Sequence, residues 1–142
     1  MSLALLPAAE PAVPLYWRRT FPGRTEQARA ARGFVGCLLS GCPYLDDVQL
    51  TAGELVGNAL RHTRSGQEGG AFTVEVLRGC GGVVIAVGDQ GGPSEPVVRD
   101  ADRLAEGGRG LLTIACVAES WGWHGDEHGR KVTVTFVGEW TE

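Results

Sequence analysis

A chain of 142 residues with 43% hydrophobic content can bury one real core and is too short to fill two. Charged residues make up 21% and the formal net charge is −4, which excludes a strongly basic nucleic-acid surface and a polyacidic tail. No stretch reaches the roughly 18 consecutive apolar residues of a membrane span, and the apolar piece at 3–6 is too short for a signal-peptide core, so a cytoplasmic protein without membrane or nucleic-acid partners is expected.

The proline-punctuated segment 1–14 (Pro7, Pro11, Pro14) reads as a loose leader. Alternation of bulky and polar residues over 15–21 predicts a first strand, ended by the turn Pro22-Gly23. With Thr25 as N-cap, Ala28, Ala31, Phe34, Val35, Leu38 and Leu39 recur at helical spacing until Gly41, predicting a first helix. Asp46 and Asp47 open a second, with Val48, Ala52, Leu55, Val56, Ala59 and Leu60 as its apolar stripe, ending near Thr63. Two β-branched runs, 72–77 and 83–87, read as a hairpin across the glycines at 79, 81 and 82.

From 88 to 108 the chain is polar and rich in Gly and Pro, with room for one helical turn at 101–105; so long a loop in so small a domain marks function. Leu111, Leu112, Ile114, Ala115 and Val117 predict a third helix, and 121–123 with 131–137 a closing hairpin over 126–129. Residues 139–142 read as a tail, and Trp17, Trp121, Trp123 and Trp140 as packing on strands. The order predicts an α+β fold: a two-layer α/β sandwich over 15–138, its sheet mixed and mostly antiparallel, its helices on one face. Cys37, Cys42, Cys80 and Cys116 form no C-x-x-C pair and lie in mostly apolar segments, the pattern of reduced, buried thiols.

Glu54, Asn58 and His62 are spaced i, i+4, i+8 on the second helix and share a face that is not its apolar stripe. A carboxylate there can take a proton, and an amide oxygen is a hard neutral ligand suited to Mg²⁺; the competing reading is an ordinary solvated helix face. His62 reads more simply as a favourable cation at the helix C-terminus. Asp89 follows the apolar strand directly and precedes Gln90-Gly91-Gly92-Pro93, which offers a carboxylate to an exocyclic amine beside backbone that a flat ring can approach, or else a plain Asp turn. Gly107-Gly108-Arg109-Gly110-Leu111 runs into the third helix, where backbone N–H groups and Arg109 can receive phosphate oxygens, unless the run is only a flexible loop. His124 and His128 flanking Asp126 and Glu127 can be drawn as a metal site, a reading that ranks below a solvated turn.

With Glu54-Leu55-Val56-Gly57-Asn58, Asp89-Gln90-Gly91-Gly92 and Gly107-Gly108-Arg109-Gly110-Leu111 in this order, the chain resembles the histidine-kinase-like ATPase (GHKL) superfamily over residues 15–138. Arg19-Thr20-Phe21-Pro22-Gly23 and Trp121-Gly122 make it most similar to short bacterial stand-alone proteins of the anti-sigma-factor serine-kinase type. The resemblance implies an ATP pocket under a lid at 92–108. Asn58 would hold Mg²⁺, Asp89 with Gly91 would take the adenine, and Gly108, Arg109, Gly110 and Leu111 would contact the phosphates. It further implies Glu54 as catalytic base, Arg109 on the transferring phosphate, and phosphorylation of a serine on a small anti-sigma-factor antagonist. The sigma factor is then the other partner, and a homodimer the expected assembly. An ATP-binding partner-switching module without kinase activity is the alternative. One position departs from the family pattern: Gly129 is followed by Arg130 and Lys131 where relatives carry Thr, and Thr133 comes later.

Overall fold

The computed structural model describes residues 14–79, 81–93, 120–138 and 140. Strand β1 (Leu15–Pro22) leads into helices α1 (Gln27–Leu38) and α2 (Leu45–His62), a 3-10 turn (Arg64–Gly66), and strands β2 (Ala71–Gly79), β3 (Gly82–Asp89), β4 (Ser120–Asp126) and β5 (Gly129–Val137). The expected third helix, most of the expected lid, the phosphate segment Gly107 to Leu111 and the leader up to residue 13 lie outside the described residues.

The strands form one sheet in the order β1-β2-β3-β5-β4. Every pairing among them is antiparallel, so the described part carries the expected two-layer α+β architecture without the parallel component of a mixed sheet. Period-two alternation builds the core face. Val74 and Val76 stand opposite Val87 and Ile85, and Val87, Ile85 and Val83 stand opposite Val132, Val134 and Phe136. These rows are buried beneath Val35 of α1 and Val48, Ala52, Leu55, Val56 and Ala59 of α2. The Phe21 and Phe72 rings stack at 5.3 Å, and Phe34 of α1 meets Phe21 edge-on at 5.8 Å. On the outer face Lys131 Nζ pairs with Glu75 Oε1 at 2.5 Å, and the Tyr16 hydroxyl donates to the other Glu75 oxygen.

Three local expectations need correction. Thr25 does not cap α1: Gln27 N bonds Arg24 O at 2.9 Å and Glu26 is already helical (φ −66°, ψ −16°), so the chain winds before Thr25 can take the extended cap conformation. Cys42 is buried as expected, but Cys37 is exposed, because it falls two residues from Val35 and so points off the buried stripe of α1; Cys80 and Cys116 lie outside the described residues. Trp140 is on no strand, yet it packs into the core cluster with the Arg78 guanidinium 3.6 Å above its ring, so the packed unit runs past residue 138. Among the described residues no helix is long and apolar enough to cross a membrane.

Candidate functional site

The alternation that turns Val83, Ile85 and Val87 toward the helices carries Asp89 to the same face at the end of β3. Its carboxyl is partly buried. Burial raises its pKa above the ordinary carboxylate value, against the opposing pull of the Gly91 N–H and the Arg130 charge. Gly91 N donates to Asp89 Oδ1 at 2.7 Å, the Asp turn anticipated from sequence, while the second carboxylate oxygen takes no hydrogen bond among the described residues. The turn and a ligand acceptor therefore coexist in one side chain.

The segment behind Asp89 is tied to the end of α2. Thr63 Oγ1 donates to Ala59 O at 2.6 Å and accepts from Ser65 N at 3.0 Å, which closes the helix and starts the 3-10 turn. From that turn, Ser65 Oγ accepts from Gln90 N at 2.9 Å, Arg64 N donates to Gly91 O at 2.8 Å, and Arg64 Nη1 donates to Gln90 O at 3.2 Å. Arg64 Nη1 also reaches the Glu127 carbonyl in the β4–β5 turn. Ser65 is fully buried, so Ser65→Ala strands the Gln90 N–H. The expected cost is about 1–3 kcal/mol, read as a lower urea midpoint at unchanged m; a midpoint equal to wild type would show that this tether carries nothing.

Glycines 91 and 92 have a protein reason in addition to any ligand. Gly91 adopts φ +78°, and a Cβ there would collide with the Glu127 carbonyl and lie 2.9 Å from Gly129 N. A Cβ on Gly92 would lie 2.9 Å from His62 O and 3.3 Å from Arg130 Nη2. The strand end is thus wedged between the C-terminus of α2 and the last hairpin.

On α2, Glu54 and Asn58 are half-buried and His62 is exposed. Asn58 lies one turn, about 6 Å along the axis, before the His62 carbonyl that touches Gly92, so the amide and the Asp89 segment belong to one end of the molecule. Asn58 Oδ1 accepts from Arg61 Nη2 at 3.0 Å, while its Nδ2 is buried with no partner. The amide is therefore not satisfied by the protein alone. The unpartnered atom is a donor, while the oxygen, the kind of neutral ligand that Mg²⁺ accepts, is held by Arg61. Among the described residues there is no cluster of three or more His, Cys, Asp or Glu. The β4–β5 turn is closed by its own groups: Asp126 Oδ1 accepts from His128 N at 2.8 Å, and His128 and Glu127 form an exposed pair at 3.7 Å.

A concavity of about 440 Å³ lies at this end of the sheet, but the row Thr20, Thr73, Gly88 and Lys131 in its lining puts it on the outer face, away from α2 and from the face to which Asp89 and Arg130 point. That volume lies within the range of small-molecule sites. The structure thus brings Asp89, Gly91 and the Asn58 end of α2 together; Gly108, Arg109, Gly110 and Leu111 lie outside the described residues. One contributor went unnoticed in the sequence, Ser65, whose role depends on a partner 25 residues away; Arg130, noted there only as a departure from the family pattern, alternates with Val132, Val134 and Phe136 and so turns inward.

A two-layer α+β sandwich whose central strand ends in a half-buried carboxylate beside an amide-bearing helix defines a candidate nucleotide-binding domain. The family model described as "Histidine kinase-like ATPase domain" matches residues 21–136, and the chain belongs to that family, an ATP-dependent class. No curated protein matches the chain.

Proposed function

We propose that the chain binds ATP with Mg²⁺ and acts as a protein serine kinase toward a small anti-sigma-factor antagonist, itself holding a sigma factor, in the cytoplasm of a bacterium and as a homodimer. The observation that carries the nucleotide part is Asp89 at the end of β3, whose second carboxylate oxygen takes no hydrogen bond among the described residues and in this reading accepts from the adenine amino group. The kinase and partner parts rest on the sequence resemblance to anti-sigma-factor kinases and on Glu54, which shares a helix face with Asn58.

In this reading Gly108, Gly110 and Leu111 supply backbone donors to the phosphates, Arg109 offsets charge on the γ-phosphoryl group, and Asn58 offers its amide oxygen to the metal. Bound Mg²⁺ would neutralise phosphate charge. Glu54 orients the substrate serine hydroxyl and accepts its proton as the serine oxygen bonds to the γ-phosphorus. The bond to the β–γ bridging oxygen breaks, leaving phosphoserine and ADP.

Transfer of γ-labelled phosphate from Mg-ATP to a purified antagonist tests this. Glu54→Gln is expected to slow transfer by about 10²–10⁴-fold while leaving nucleotide-induced thermal stabilisation intact. Full transfer by the variant would remove Glu54 from the mechanism. The Arg61 contact, which places a cation on the oxygen that Mg²⁺ needs, favours a second reading: an ATP-binding partner-switching module without kinase activity. Stabilisation by ATP with no labelled partner would select it.

A further inference from the structure

Among the described strands β1 has a neighbour on one side only, β2. Their pairing runs from Leu15↔Arg78 to Pro22↔Ala71 in unbroken register, without a bulge. Every second residue of such an edge strand turns its N–H and C=O away from the neighbour, so β1 presents a row of open backbone donors and acceptors. Leu15, Tyr16, Arg18, Arg19, Thr20 and Pro22 are all exposed. The opposite edge, β4, is a poorer template, because Gly122 and Gly125 interrupt it, the latter at φ +119°. In β1 the strand formers Tyr16, Trp17, Thr20 and Phe21 flank a central Arg18-Arg19 pair.

The two arginines decide what can lie along that edge. Glu75 stands directly opposite Arg18, but its carboxylate is taken up by Lys131 and the Tyr16 hydroxyl. Arg19 turns to the other face, its guanidinium 4.7 Å from the centre of the Phe21 ring. No ion pair engages either arginine among the described residues. A second copy of the chain is the wrong occupant: two-fold antiparallel pairing centred on the strand sets either Arg18 or Arg19 against itself, and like charges directly opposite destabilise a strand pair. The segment 1–13 is no better suited, because Pro7 and Pro11 lack the N–H that an added strand must donate. We propose that the β1 edge takes an added strand from an acidic partner protein, whose adjacent carboxylates lie against Arg18 on the outer face and Arg19 on the helix face. Backbone hydrogen bonds supply the affinity and the arginines the choice of partner. Nothing in this surface depends on the nucleotide site.

Fluorescence anisotropy at low salt tests this with the full chain and a labelled peptide as long as β1, in which threonine and valine alternate around a central Glu-Glu pair. That peptide is expected to bind about 2–30-fold more tightly than its Gln-Gln counterpart, the combined range for two opposite-charge cross-strand pairs, and a Lys-Lys counterpart more weakly than both. Methylating every second backbone nitrogen of the acidic peptide, in one phase and then in the other, asks whether a strand is added: the phase that faces β1 should abolish binding and the other should spare it. Binding that survives both phases leaves an ionic contact alone and overturns the added strand. Equal binding of the Glu-Glu and Gln-Gln peptides overturns the acidic partner, and no binding of the acidic peptide overturns the proposal whole. In Arg18→Glu/Arg19→Glu the preference should invert toward Lys-Lys, a change that a purely structural role would not produce; a preference kept for Glu-Glu overturns the role of the arginines. The wild-type arms decide the matter even where the double variant does not fold.

Discussion

Saturating Mg-ATP is expected to raise the unfolding midpoint of the wild-type chain by about 8 °C and to leave that of Asp89→Asn unmoved. A ligand at one hundred times its dissociation constant stabilises by about 2.7 kcal/mol, and a domain of this size gains roughly 3 °C per kcal/mol. The substitution is informative because it spares the loop. Asparagine keeps an Oδ1 for the Gly91 N–H, now 2.7 Å away, and so must turn its NH₂ toward the ligand, where a donor would face a donor. A midpoint that still rises with ATP in this variant would take Asp89 out of the site.

The same variant has a second, ligand-free signature. Burial, the largest influence on Asp89, raises its folded pKa. A raised folded pKa means that the folded state holds the proton more tightly, so the stability due to Asp89 is present at low pH and is lost as pH rises through the folded value. Ionised Asp89 thus weakens the free protein at neutral pH. Asp89→Asn should raise its midpoint near pH 7, with the gap closing toward about pH 4, where ordinary carboxylates begin to protonate. A site that gives up stability until its ligand arrives is what this arrangement amounts to.

Gly91→Ala should cost about 2–5 kcal/mol in urea unfolding. The left-handed backbone at φ +78° contributes about 1–2 kcal/mol of that. The rest comes from the new methyl meeting the Glu127 carbonyl and Gly129 N, both backbone atoms that no rotamer change can move aside. Gly69 is the internal control: it has the same φ of +78°, but open space where its Cβ would go. Gly69→Ala should therefore show the backbone cost alone, about 1–2 kcal/mol. Equal losses at the two positions would mean that the hairpin yields to the methyl and that the wedge around the site is soft.

Much of the site was legible because it lies on regular elements. Asp89 follows Val83, Ile85 and Val87 at period two, so the pattern that predicts the strand also predicts where the carboxylate points. Glu54 and Asn58 are likewise fixed by the pitch of one helix. What escaped was whatever depends on a partner distant in the chain. Gly91 reads as a concession to a flat ring, whereas backbone from the last hairpin already occupies the space beside it. Ser65 looks like a loop residue until it is paired with Gln90. Trp140 looks like tail until Arg78 covers it. Thr25 failed for a local reason, a one-residue shift in where winding begins, and Cys37 because it lies off the Ala31 and Val35 stripe of the same helix.

Arg64 reaches acceptors 26 and 63 residues further along the chain. During synthesis the first helices and β1 to β3 emerge well before the β4–β5 turn, so the knot that shapes this end of the sheet cannot be tied until that turn has been made. Contacts of such long range come late in folding. A nascent chain that has not reached Glu127 would carry Asn58 and Asp89 without this tie between the segments around them, and nucleotide recognition would have to wait for that turn.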